Sequence, residues 1–423
     1  MNVFSGILLC MTLAVATVRA SSDAVYVWQR QWTPLVTQAV GDLASAAGEF
    51  VVLGGSVTCS AGALVTKPVA VWWDAFRGAT NVVTLAWRIE PAVAAMLCSP
   101  TDAMAVVQTV VRETQAAACG AHAVGVRIDG LQVDYDAASS RLGDYAAFLR
   151  LLRRRIPGMQ LSITALPTWL DKAAFRQLAD EVDYYVLQLH SFELPKTAAA
   201  AVEIFPLRRA SGYIAAARAV GRPFRISLPT YGYEMRFDKR GRFKGIRAEA
   251  RAAPNSAGGQ AKVVMTDPFM MLGFLRATHA GGGATTPSVL WFRLPLPTDE
   301  FNWHVRTLRK VMRRETPATS IVARAMPVST DLYHVVVENT GDTDIRDPVR
   351  FPVMVGNDMA FMHDVAGAST AARLAGTNGI MLTTRAPRPG ATAIVAWLRL
   401  LPDATPRTGA DVRPGSVILT DQQ

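Results

Sequence analysis

The run Ile128-Asp129-Gly130-Leu131-Gln132-Val133-Asp134-Tyr135-Asp136 concentrates more chemistry than any other stretch of the chain. Its apolar partners predict a β-strand, in which alternate side chains share a side. Gln132, Asp134 and Asp136 then project together, while Leu131, Val133 and Tyr135 project oppositely. Three polar groups turned into a protein interior are costly unless they bond one another or a ligand. Two neighbouring carboxylates also repel, which raises one pKa and prepares that group to act as an acid. A purely structural cluster and an Asp-x-Asp metal site are the competing readings, with magnesium or calcium as the ions that oxygen ligands suit. Nothing else in the sequence demands a metal, and no cofactor is expected.

Further polar and aromatic groups fall beside or just beyond other strand-like runs. Gln188 and His190 share a side of one such run and are placed to hydrogen-bond a ligand. A lone histidine is as often structural as functional. Trp28, Trp169, Tyr231 and Trp291 lie at or beyond strand ends, where such rings can stack on a ligand, with core packing as the alternative for each. Glu90, Glu193, Glu234 and Asp299 follow strands and are candidates for a second carboxylate, or for solvated loop charge.

The elements that must position these groups read as alternating apolar β-runs and helices from Val25 to about Glu315, the mark of βαβ units. Eight strands are expected, at Val25–Gln29, Phe50–Gly54, Asn81–Trp87, Gly125–Tyr135, Gln160–Ala165, Tyr184–Leu189, Arg225–Pro229 and Ser288–Phe292, with Val69–Trp72 as an added edge. Tyr145, Phe148, Leu149, Leu152 and Ile156 recur at helical spacing before the terminator Pro157-Gly158, and Thr101-Asp102 opens another helix. Eight strands over residues 21–316 predict an α/β fold, a (β/α)8 TIM barrel. A doubly wound sheet is the alternative, but no Gly-rich phosphate loop follows the first strand. The connection from Gly232 to about Pro287 is long, with a hairpin at Phe237–Phe243 and a loop at Ala252–Gly259, and such insertions sit over the site mouth. Residues 317–423 change to short strands, at Asp331–Val337, Pro352–Val355 and Ala393–Leu400, which predicts a β-sandwich accessory domain.

Half of the 423 residues are hydrophobic and 18% are charged, which excludes bulk disorder. The net charge of +10 admits an acidic partner, but the excess is scattered and has no interleaved aromatics, so nucleic-acid binding is not expected. Phe4 to Val18 is apolar or small and precedes Val18-Arg19-Ala20, which predicts a signal peptide over residues 1–20 with cleavage after Ala20 and export to the periplasm or beyond. An uncleaved anchor is the alternative, and no other run is long enough to span a bilayer. Cleavage leaves Cys59, Cys98 and Cys119, enough for one disulfide at most and matching no zinc pattern.

Asp129-x-x-Gln132-x-Asp134-x-Asp136 resembles the fourth-strand signature of family 18 chitinases, Asp-x-x-Asp-x-Asp-x-Glu. Leu228-Pro229-Thr230-Tyr231-Gly232 looks like that family's seventh-strand Pro-x-Tyr-Gly, and Trp291 matches its eighth-strand Trp. Tyr26-Val27-Trp28-Gln29-Arg30, the Gln-x-Asp-Tyr-Asp run and Ser162-Ile163-Thr164-Ala165-Leu166-Pro167 resemble, more closely, an uncharacterised bacterial family, domain of unknown function 3142. The chitinase resemblance implies a carbohydrate ligand, Asp136 as general acid and Asp134 as its partner. It also implies sugar contacts from Asp129, Gln132, Gln188, His190, Tyr231, Trp291, Trp169 and Trp28. The sequence departs from the pattern at three points. The final Glu is Asp136, the first inward Asp is Gln132, and the sixth-strand Met-x-Tyr-Asp is Gln188-Leu189-His190-Ser191. These departures leave a non-catalytic glycan-binding protein, or an envelope scaffold, as alternatives to a glycoside hydrolase.

Overall fold

The computed structural model describes residues 23–190, 195–248, 259–280, 287–355 and 361–401. The expected signal peptide, Ser191, Glu193 and residues 252–258 of the expected loop lie outside the described residues.

Eight parallel strands close into a barrel: Ala24–Val27, Glu49–Ser60, Val82–Ile89, Gly130–Asp134, Gln160–Ala165, Tyr184–Gln188, Phe224–Pro229 and Val289–Phe292. Closure comes from the first strand, which pairs with the second (Val25 opposite Phe50) and with the eighth (Val25 opposite Trp291). All eight expected strands are present. The added edge is Ala63–Pro68, antiparallel to the long second strand, rather than Val69–Trp72. The second strand runs on through Gly54-Gly55, where its register with the third strand shifts, and so reaches far enough to pair with that edge.

Alternation sorts each strand into two layers. One set of side chains, including Ala24, Tyr26, Val51, Ala86, Tyr184, Val186 and Leu290, fills the barrel interior. The other set, with Val25, Phe50, Leu131, Val133, Ile163, Tyr185 and Trp291, packs in one large core with the surrounding helices. Leu142–Arg153 turns Tyr145, Phe148, Leu149 and Leu152 inward as its spacing predicts. The helix Pro100–Ala123 begins at a proline and is capped by Ser99, whose hydroxyl accepts from the Asp102 amide. At the N-terminal end of the barrel Glu49 accepts from Thr84 and pairs with Arg225, which also donates to Ser288. The buried charge at that end is compensated.

After the seventh strand, Gly232–Phe237, Phe243–Arg247 and Gln260–Met265 form a three-stranded antiparallel sheet that contains the expected hairpin. Beyond the barrel come two antiparallel sheets. One comprises Ile321–Pro327, Leu332–Asn339, Thr392–Leu400 and Phe361–Val365, and the other Val349–Met354, Gly379–Thr384 and Thr370–Arg373. Val335, Val337, Phe351, Ile380 and Leu382 belong to the apolar cluster between them. Cys59, Cys98 and Cys119 are free thiols, so the one disulfide that their number permits is not formed. No helix among the described residues is long and apolar enough to cross a membrane.

Candidate active site

At the C-terminal ends of the barrel strands lies a cavity of about 150 Å³, lined chiefly by Trp28, Arg88, Asp134, Asp136, His190 and Phe292. It is the end at which barrel scaffolds carry their reactive groups. Asp134 is the last residue of the fourth strand and is 4% exposed. Its carboxylate accepts from Arg88 Nη1 at 2.7 Å and from Thr164 Oγ1 at 2.8 Å. Burial pushes the Asp134 pKa up, the positive charge of Arg88 opposes that rise, and nearby Asp136 adds to it. Asp136 stands two residues on, with its side chain 41% exposed, and meets Arg88 Nη2 at 3.3 Å. Arg88 therefore bridges both acids, and its Nε also lies 3.6 Å from Glu90.

Gln132 belongs to the layer beneath. It is fully buried, accepts from the Tyr26 hydroxyl at 2.6 Å and donates to Ser162 Oγ at 3.1 Å. The expected convergence of Gln132, Asp134 and Asp136 on one side is present, with the amide spent on internal bonds and the two acids facing the cavity. A buried amide needs such partners, since one left unbonded costs about 1–3 kcal/mol.

Across the cavity, His190 Nε2 lies 3.2 Å from Ser227 Oγ and Nδ1 lies 3.1 Å from the Tyr231 hydroxyl. Burial pushes the His190 pKa down to about 4, so the ring is neutral near neutral pH. A neutral imidazole has one donor and one acceptor nitrogen, and two hydroxyls satisfy both in either tautomer. The ring stacks on Phe292, with centroids 5.2 Å apart, and Tyr26, Trp28 and Phe292 meet edge to face. Trp28, Gln188 and His190 line the cavity as expected, and Tyr231 stands behind His190 rather than in the lining.

Three expected site residues lie elsewhere. Asp129 precedes the fourth strand, at the barrel end opposite the cavity, and pairs with Arg127. Trp169 is 1% exposed, donates to the Ala137 carbonyl and packs against Tyr145 and Phe175. Trp291 has the outward phase of its strand, packs beside Trp303 and donates to Asp23 at 3.0 Å. The place of Trp291 follows from that phase, since one residue along a strand reverses the side, whereas Asp129 precedes its strand and Trp169 sits in a short 3-10 turn. Phe292, one step on, supplies the cavity's aromatic wall instead. The sequence reading also missed Tyr26, Arg88, Thr164 and Ser227. Each lies an even number of residues from an inward neighbour: Tyr26 from Trp28, Arg88 from Ala86, Thr164 from Ser162 and Ser227 from Arg225. That spacing was the available signal.

No group of three or more His, Cys, Asp or Glu among the described residues is arranged to hold a metal ion. Of the other carboxylates considered, Glu90 joins the Arg88 pair, whereas Asp299 is buried and pairs with Arg293.

A closed eight-stranded parallel barrel with helices, followed by antiparallel sheets, places the chain among TIM-barrel proteins with a β-rich C-terminal region. Residues 99–297 match the family model described as Domain of unknown function (DUF3142) and carry that domain. The barrel is similar to the C-terminal domain of a putative chitinase from Desulfitobacterium hafniense, at 14% identity and TM-score 0.52, covering 70% of this chain and 99% of that one. It is similar also to the spore cortex-lytic enzyme SleL of Bacillus cereus, at 13% identity and TM-score 0.50, covering 70% of this chain and 75% of that one. At such identities the likeness establishes the fold alone. No curated protein matches the chain.

Proposed function

We propose that this chain is an exported glycan hydrolase that cleaves at the cavity beyond the fourth strand, with Asp136 as proton donor and Asp134 as its buried partner. The observation that carries this reading is the division between two carboxylates two residues apart. Asp134 is held on two sides, whereas Asp136 stands at the cavity with its side chain open to a ligand. A general acid must reach the leaving-group oxygen, and Asp136 is the acid with that access. Asp134, fixed by Thr164 and Arg88, supplies negative charge where a sugar ring develops positive charge. Trp28 and Phe292 offer ring faces for the apolar side of a sugar. A volume near 150 Å³ is small beside the range of roughly 300–1,000 Å³ usual for ligand pockets, so it admits part of one sugar unit while the rest of the glycan lies across the mouth. Export is supported by the apolar run Phe4–Val18 and the small-residue site ending at Ala20.

The test is release of reducing ends from a broad panel of oligo- and polysaccharides. The wild-type protein should act on at least one, and Asp136→Asn should lower kcat on it by about 10²-fold or more. Turnover undiminished in that variant would remove Asp136 from the role.

One observation favours a second reading, binding without cleavage. Arg88 donates to both acids and so occupies Asp136 Oδ2, an oxygen of the carboxyl group that would have to present a proton to a glycosidic oxygen. In that case glycans bind without turnover, and Trp28→Ala weakens binding by about tenfold.

A further inference from the structure

The insertion sheet after the seventh strand carries a second concavity, separate from the cavity and about 620 Å³ in volume. Among the described residues its wall holds six cations, Arg236, Lys239, Arg240, Arg242, Lys244 and Arg247, and a single acid, Asp238. Asp238 is already committed. It accepts from the backbone amides of Arg240 and Arg242 and pairs with the Arg242 and Lys244 side chains. Arg236, Lys239, Arg240 and Arg247 form no ion pair among the described residues. An excess of five positive charges is thus gathered on one hairpin in a chain whose whole net charge is +10. Like charges held in a hollow repel one another, and an anionic ligand that enters relieves that repulsion.

We infer that this hairpin is a binding site for an acidic polysaccharide, one that bears carboxylates or sulfates along its length. The inference rests on the glycan reading of the barrel and gives it a substrate class. Arginine forks match planar carboxylate and tetrahedral sulfate oxygens alike. The position matches a polymer that continues into the cavity. Gly232, the first residue of the insertion sheet, follows Tyr231, whose hydroxyl reaches the cavity residue His190. The hairpin also touches the segment after the sixth strand, through a bridge between Thr197 and Arg242. Single-stranded nucleic acid is the less suited polyanion, because its binding uses exposed aromatic platforms. Among the described residues the only ring in this wall is that of Phe237, 3% exposed.

The experiment measures binding of a fluorescent oligogalacturonate to the full chain at about 50 and 200 mM salt, a range over which exposed charges become screened. A single-stranded DNA of similar charge and vesicles of phosphatidylserine with phosphatidylcholine serve as parallel probes. The oligogalacturonate is expected to bind, more weakly at the higher salt. The combined substitution Lys239→Glu, Arg240→Glu and Lys244→Glu should weaken it by about tenfold or more, whereas Arg350→Glu, an exposed change on the C-terminal sheets, should not. Should the triple variant fail to fold, Arg240→Gln alone is expected to weaken binding by about threefold. Absence of oligogalacturonate binding, or binding indifferent to these substitutions, overturns the inference. Tighter binding of DNA or vesicles, lost in the same variants, overturns it also and reassigns the surface. Salt-sensitive binding without release of reducing ends from any glycan would sink the hydrolase reading while leaving this one standing.

Discussion

Arg88 decides what the two acids can do, because it is the cation nearest to both of them. Replacing it by Met leaves the Asp134 carboxylate buried with Thr164 as its remaining partner, and a buried charge without its counter-charge is strongly destabilising. Arg88→Met should cost about 2–3 kcal/mol in a denaturant melt at pH 7. The sign of its pH dependence follows from Asp134, whose pKa in the folded protein is raised above the unfolded value. The native state then holds the proton more tightly, so stability falls as pH rises through that window. The deficit of Arg88→Met should accordingly shrink as pH is lowered. His190 has the opposite behaviour, with a pKa of about 4 in the folded chain against 6.5 unfolded. Below pH 6.5 the unfolded state takes up the proton first, so stability should decline by roughly 2 kcal/mol as pH falls from 6.5 towards 4. His190→Gln should remove that decline, read as a flatter plot of midpoint against pH.

At the level of elements, the insertion sheet hangs on a close approach at Gly232. A Cβ there would strike the backbone carbonyl of Val264 and the sulfur of Met265, so no side chain fits while Gly232 and Met265 remain paired. Gly232→Ala should loosen this sheet by about 2 kcal/mol or more, detected as faster proteolysis between residues 237 and 260 with the barrel intact. The order of barrel strands was legible because strands covered on both sides read as unbroken apolar runs. The second strand was cut short in that reading because Gly54-Gly55 resembles a turn, whereas in three dimensions it marks a register shift. The fourth-strand trio was legible from alternation alone. Alternation also turns Arg88 and Thr164 inward, but one polar residue in an apolar run gives no sign of which side chain it will meet. Trp291 was misplaced for the related reason that the phase of a strand cannot be fixed without its neighbours.

For the molecule as a whole, the junction between barrel and C-terminal sheets depends on few groups. Arg388 donates to the carbonyls of Asp299 and Asn302 on the barrel side and pairs with Asp344 on its own. Thr307 donates to the carbonyl of Asp342 across the same junction. Arg388→Ala should uncouple the two parts, visible in calorimetry as two thermal transitions where the intact chain has one, with the lower moved by several degrees. The first barrel strand has a further consequence. Its flanks are the second strand and the eighth, and Asp23 just before it is clasped by Trp291 and Arg314. A nascent chain therefore cannot complete its cylinder until some three hundred residues have been synthesised, and until then its opening stave presents a bare edge. Such a chain stays threadable for most of its synthesis, as the proposed export would require.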